Sequence, residues 1–93
     1  MNKELELFLK DYIIKEVSDS NEDNWLESLT EVLNCTVVNT KSSDIWYNTD
    51  IKVSKIDNKF IQYEWNQVTG TIPITTVCEV KQKTKTMTVT YYE

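Results

Sequence analysis

Hydrophobic residues recur at three- and four-residue steps in the first third of the chain and at every second position after residue 35. Residues 3–17 carry an apolar stripe made of Leu5, Phe8, Leu9, Tyr12 and Ile13. This repeat places side chains on one face of a turn of about 3.6 residues, so it predicts an amphipathic helix.

A second helix is predicted after the polar stretch SDSNEDN. Ser20, with Asp23 three residues later, has the spacing of a capping box at a helix start. Asn34 is a suitable C-terminal stop. The apolar stripe between them consists of Trp25, Leu26, Leu29, Val32 and Leu33.

The later alternation predicts antiparallel strands separated by turns at Asp57–Asn58 and Thr69–Gly70. We expect one face of these strands to be buried. Its residues are Ile45, Tyr47, Ile51 and Val53, then Ile61, Tyr63 and Trp65, then Ile72, Ile74, Cys78 and Val80, and finally Met87, Val89 and Tyr91. The threonines at 84, 86, 88 and 90 then occupy the outward face of the last strand.

These elements predict an α+β fold, a two-layer sandwich in which two N-terminal helices pack on one face of a four- or five-stranded antiparallel meander. With 93 residues the chain is expected to be a single domain, residues 1–93. Its helical layer would span residues 1–33 and its antiparallel sheet residues 35–93.

Composition argues against most catalytic chemistry. The chain has no histidine, no arginine and one glycine, so it lacks the usual general base, the usual bidentate phosphate ligand and a glycine-rich phosphate loop. Its two cysteines, Cys35 and Cys78, are expected to be buried thiols of a cytoplasmic protein. We therefore expect a non-enzymatic protein without a cofactor.

The acidic stretch after the first helix has a partial likeness to a calcium-binding loop. Asp19, Asn21 and Asp23 occupy the first, third and fifth positions of an EF-hand. Asn24 and Thr30, however, stand where that loop needs glycine and a bidentate glutamate. We therefore expect no metal site.

The same stretch begins an acidic surface on the second helix. Asp23, Glu27 and Glu31 repeat every four residues, with Glu22 beside them. Residues 1–33 hold nine acidic residues against three lysines, a net charge of −6, whereas the rest of the chain has +1. Such a surface fits a protein partner with a basic surface, or simply a solvated helix face.

Further candidates for a partner contact are apolar residues at positions expected to be polar. Leu7 and Ile14 lie opposite the core stripe of the first helix, where they would form a dimer seam or be covered by another element. Trp46, Ile56 and Phe60 occupy strand positions that alternate with the expected core positions and would therefore face solvent. This indicates an exposed apolar patch or a β-bulge. Lysines 81, 83 and 85 lie near the predicted last hairpin. We interpret them as residues that prevent edge-to-edge aggregation of strands rather than as a direct nucleic-acid-binding site.

In size, acidity and Lys/Asn/Ile/Thr-rich composition the chain is similar to inhibitors carried by phages and mobile elements, such as anti-CRISPR proteins, and to toxin-immunity proteins. The leading hypothesis is an inhibitor that blocks a basic, nucleic-acid-binding surface of a target protein. The alternatives are a homodimeric structural or assembly protein, a toxin-immunity protein, and a small-ligand-binding module. No membrane segment is expected.

Overall fold

A computed structural model describes residues 1–44, 48–84 and 90–93, and it confirms the α+β architecture. Two helices are followed by a four-stranded antiparallel sheet, in which consecutive strands are neighbours, and by a separate two-stranded sheet. The elements are α1 (Lys3–Glu16), α2 (Trp25–Cys35), β1 (Val37–Asp44), β2 (Thr49–Ile56), β3 (Lys59–Asn66), β4 (Cys78–Val80), β5 (Gln82–Thr84) and β6 (Thr90–Tyr92), with a short 3-10 turn at Ile74–Thr76.

Helix α1 has the predicted start and core face, and it ends one residue earlier than predicted, at Glu16. Asn2 caps its start, because the Asn2 side-chain oxygen accepts a hydrogen bond of 2.7 Å from the Leu5 backbone N–H. Leu5, Leu9 and Ile13 are buried in the core. Phe8 and Tyr12 pack against the same core while remaining partly exposed.

Helix α2 starts later than predicted, at Trp25, so Ser20 is not its N-cap. Asparagine side chains hold the preceding residues in a turn: Asn21 Oδ1 accepts from the backbone N–H of Asp23 and Asn24, at 2.8 and 3.1 Å. These side-chain bonds satisfy the backbone N–H groups of Asp23 and Asn24 without a helix, so they compete with an earlier start of α2. The Ser20 hydroxyl instead lies 2.9 Å from that of Ser28.

The faces of β2 are the reverse of the prediction. The two-residue turn at Asp57–Asn58, with Asp57 at a left-handed φ of 53°, pairs Ile56 with Lys59 and Ser54 with Ile61. Directly paired residues in an antiparallel ladder project to the same face. Ser54 and Ile56 therefore face the helices, together with Ile61 and Tyr63, and are fully buried.

The opposite sheet face is partly covered rather than wet. Val53 is buried there, although the sequence placed Ile51 and Val53 on the helix side. Phe60, predicted to be part of an exposed patch, is half-buried, and its ring centroid lies 5.2 Å from that of Tyr92 in β6. The C-terminal strand thus supplies aromatic cover to a second, smaller apolar cluster.

The segment between β3 and β4 is less regular than the predicted alternation. Thr71 forms a single bridge to Asn66, and the backbone then turns at Pro73 into the 3-10 turn. As a result Ile72 and Val77 are buried, whereas Ile74 is exposed. The Thr76 hydroxyl takes the place of a backbone carbonyl from a neighbouring strand, because it accepts a hydrogen bond of 3.1 Å from the Glu64 N–H in β3.

Several predicted strand residues lie outside the described parts of the chain. These are Ile45, Trp46, Tyr47, Met87 and Val89, together with the threonines at 86 and 88 and Lys85. Within β6, Thr90 is exposed, in agreement with its predicted outward position, and Tyr91 is half-buried.

Candidate functional site

The acidic surface consists of Glu22, Asp23, Glu27 and Glu31, and all four residues are exposed. Glu27 and Glu31 lie one turn apart on α2, as predicted. Glu22 and Asp23 belong to the turn that precedes α2, so the continuous helical line expected from residue 23 is wrong. The surface is therefore a turn followed by a helix.

Lysines do little to neutralise this surface. Across the described residues, three ion pairs are formed, and one of them involves the acidic surface: Lys10 Nζ lies 3.7 Å from Glu22 Oε1. The Glu22 side chain remains 80% exposed in that pair. Exposed ion pairs of this kind contribute little free energy, so Glu22 remains available to a partner.

Leu7 and Ile14, expected either to form a dimer seam or to be covered by another element, differ from each other in the structure. Leu7 is 48% exposed. Ile14 instead packs against the core, partly buried, so it does not share a free apolar face with Leu7. Trp46, the remaining candidate contact residue, lies outside the described residues.

The structure contains an apolar groove that the sequence analysis did not identify. The C-terminal end of α1 and one side of α2 enclose about 240 Å³. We call this feature the interhelical groove. Its walls are formed by Tyr12 and Val17 from one side and by Ser28, Glu31, Val32 and Cys35 from the other, with Glu16 and Thr36 at its margin.

Two of the three hydroxyl groups that line the interhelical groove are hydrogen-bonded within the protein, and the third is the phenol of Tyr12. Ser28 pairs with Ser20, and the Thr36 hydroxyl donates to the backbone carbonyl of Val32 at 2.9 Å. The carboxylates of Glu16 and Glu31, in contrast, are exposed at the groove, and neither takes part in an ion pair among the described residues.

Both cysteines are free and exposed, which corrects the prediction of buried thiols. Cys35 is the last residue of α2 and lines the interhelical groove. Cys78 pairs with Gln62 at the start of β4, on the less covered face of the sheet. The alternation around Pro73 placed Cys78 in the core because it did not include the 3-10 turn.

The basic end of the chain makes its own ion pair. Lys83 Nζ lies 3.0 Å from Glu93 Oε2, and this contact raises the pKa of the lysine. Lys59 similarly lies 3.2 Å from Glu79 and 5.3 Å from the Phe8 ring. Lys59 and Lys83 thus have acidic partners in their own chain, whereas Asp23, Glu27 and Glu31 of the acidic surface form no ion pair among the described residues.

Within residues 1–44, 48–84 and 90–93, no three or more Cys, Asp or Glu side chains are grouped so that they could hold a metal ion. No helix there has the length and apolarity needed to cross a membrane.

Comparisons with protein-family models, with curated proteins and with solved structures give no match for this chain. Its function therefore has to be inferred from its own residues and geometry. The acidic surface and the interhelical groove adjoin each other and share Glu31.

Proposed function

We propose that this protein is a small, non-enzymatic inhibitor that binds another protein through its acidic surface. The target would present a basic, nucleic-acid-binding surface, and the inhibitor would block it sterically and electrostatically. This is the mode of action expected of an anti-defence protein of phage or mobile-element type, such as an anti-CRISPR protein.

One observation carries the proposal: Asp23, Glu27 and Glu31 are exposed and form no ion pair in the described parts of the chain. Like charges four residues apart destabilise a helix by about 0.2–0.5 kcal/mol per pair. Retaining Glu27 and Glu31 at that spacing is unfavourable for folding alone, which favours a role in binding.

The charge distribution supports the same surface. Residues 1–35, which include both helices, carry a net charge of −6. Complementary charge accelerates the encounter between two proteins, and it can present carboxylates where a basic protein would otherwise bind phosphates.

The test compares two double variants with the same change in net charge. Asp23→Lys with Glu27→Lys reverses the acidic surface, whereas Glu6→Lys with Glu64→Lys reverses two exposed acids elsewhere. Proteins retained from the native host by the wild-type chain and by the control, but lost by the first variant, are then purified. Their nucleic-acid binding is titrated with the inhibitor.

Stoichiometric loss of nucleic-acid binding is expected with the wild-type chain. The association rate should be about tenfold lower with the acidic-surface variant at low salt, and the difference should shrink as salt is added. Equal association rates for the two double variants would contradict the proposed use of this surface.

A further inference from the structure

The interhelical groove is too small to be a typical ligand pocket. Its volume of about 240 Å³ lies below the roughly 300–1,000 Å³ of most small-molecule sites. It opens at the surface between the ends of two helices, where a side chain from another protein can enter. A space of this size suits one or two large side chains rather than a cofactor.

The walls of the groove combine an apolar lining with uncompensated negative charge. Tyr12, Val17 and Val32 provide the apolar lining. Because the hydroxyls of Ser28 and Thr36 are bonded internally, the polar groups that an occupant meets are the phenol of Tyr12 and the carboxylates of Glu16 and Glu31, and only the carboxylates carry charge.

Helix direction adds to the preference for positive charge. Glu16 is the last residue of α1, and the groove runs to Cys35, the last residue of α2. The C-terminal end of a helix carries partial negative charge and attracts cations. The last turn of α2 has no basic residue, so the preference rests mainly on this helix. The last turn of α1 contains Lys15, which lines the adjoining hollow together with Glu16 but does not line the interhelical groove.

We propose that the interhelical groove binds a basic segment of the partner protein, with one large apolar side chain inserted between the helices and a neighbouring lysine or arginine beside Glu16 and Glu31. This inference rests on the proposed function and specifies its partner. Charge complementarity selects this occupant, because an acidic or neutral apolar segment would leave both carboxylates without a cation. Long basic side chains suit the site, since their stems cover apolar surface while their charged ends stay in water.

Cys35 provides a direct measurement of occupancy, because it is exposed and lines the groove. The full chain with Cys78→Ser carries a single thiol, whose alkylation rate is followed in the presence of synthetic peptides. The main probe is a leucine–lysine peptide of about 14 residues, long enough to form an amphipathic helix on binding. An all-lysine peptide and a leucine–glutamate peptide of the same length are the controls.

The leucine–lysine peptide is expected to protect Cys35. At a free concentration about nine times its dissociation constant the alkylation rate should fall about tenfold, because only the unoccupied fraction reacts. The all-lysine and leucine–glutamate peptides should leave the rate unchanged. No protection by the leucine–lysine peptide, or equal protection by all-lysine, overturns the inference.

Variants separate the groove from the wider acidic surface. Cys35→Trp fills the groove and should weaken binding of a labelled leucine–lysine peptide at least about tenfold. Cys78→Trp is the matched control, because that cysteine is also exposed but lies outside the groove, and it should bind like the wild type. Glu16→Gln with Glu31→Gln should weaken binding about threefold to tenfold, as expected for exposed charge pairs.

The two proposals fail in different ways. If Cys35→Trp binds the peptide and the purified target like the wild type while Asp23→Lys with Glu27→Lys does not, the groove inference is wrong and the acidic-surface proposal stands. If Cys35 becomes protected as the protein's own concentration rises, with no peptide present, the occupant is a second copy of this chain. Equal protection by an uncharged apolar compound such as octanol would indicate a small-molecule site, and either result overturns the inference.

Discussion

The side-chain hydroxyls of Ser54 and Tyr63 lie 3.0 Å apart in the core and both contact one backbone carbonyl, that of Leu33 in α2. This arrangement joins neighbouring strands to the last turn of α2. Each hydroxyl supplies one proton, so the two residues can form two of the three possible hydrogen bonds at a time. The pair therefore links the helix that carries the acidic surface to the sheet.

The Ser54–Tyr63 pair is expected to behave cooperatively in a double-mutant cycle. Ser54→Ala and Tyr63→Phe should each lower the free energy of unfolding by about 0.5–1.5 kcal/mol, because the remaining hydroxyl still donates to the Leu33 carbonyl. The double variant removes both of these hydroxyl donors and leaves the Leu33 carbonyl with the longer, 3.3 Å contacts from the Thr36 N–H and hydroxyl, so it should cost about 0.5–1 kcal/mol more than the sum. Urea unfolding of the four proteins measures these values, and strictly additive costs would show that the two hydroxyls act independently.

Tyr63 also makes stability depend on pH in the alkaline range. Burial raises the pKa of its phenol above the ordinary value of 10.0, while the hydrogen bond from Ser54 acts in the opposite direction. Above pH 10 the unfolded chain releases this proton before the native chain does, so the free energy of unfolding falls as pH rises towards the native pKa. Below pH 10 the contribution is fully present.

The comparison with Tyr63→Phe isolates this effect from the other titrating groups. The stability advantage of the wild type over the variant should be constant from about pH 7 to 9 and shrink above pH 10. Urea unfolding of both proteins across that range is the measurement. An advantage that stays the same up to about pH 11 would mean that the phenol titrates alike in the folded and unfolded chains.

Two leucines of α1 provide a matched test of which face is buried. Leu9 is fully buried and Leu7 is 48% exposed, although both lie in the same helix. Leu9→Ala should cost about 2–5 kcal/mol of unfolding free energy, whereas Leu7→Ala should change it by less than about 0.5 kcal/mol. Comparable costs for the two variants in thermal or urea unfolding would show that Leu7 is covered.

The aromatic contact between Phe60 and Tyr92 is expected to stabilise the second face of the sheet. Tyr92→Ala removes a half-buried ring and should lower the free energy of unfolding by about 1–2 kcal/mol. Amide exchange should become faster in β5 and β6. Thr90→Ala, an exposed change in the same strand, is the control and should cost less than about 0.5 kcal/mol.

Local patterns were sufficient where the deciding interactions are close in sequence. The stripe containing Leu5, Leu9 and Ile13 predicted α1 correctly, because a helix buries residues three and four apart whatever element covers them. The Asp57–Asn58 turn was predicted for a similar reason, since its conformation depends on the residues of the turn itself.

The faces of β2 show how two local signals have to be combined. Alternation within β2 alone does not decide which face is buried. Ile51 and Val53 project to one face of the strand, and Ser54 and Ile56 project to the other. The predicted two-residue turn fixes the pairing of Ser54 with Ile61, and Ile61 was correctly expected in the core. Applying that register to the sequence would have placed Ser54 and Ile56 beneath the helices.

The sequence by itself determined that two helices precede antiparallel strands, and it determined the core stripe of α1 and the concentration of acidic residues in the first third of the chain. Tertiary structure alone decided that the C-terminal strand covers a second sheet face, that Ile14 packs partly buried against the core, and that Glu16 and Glu31 flank one groove. The physical reason is that periodicity reports which residues of one element share a face. Which other element covers that face depends on packing between residues far apart in the chain.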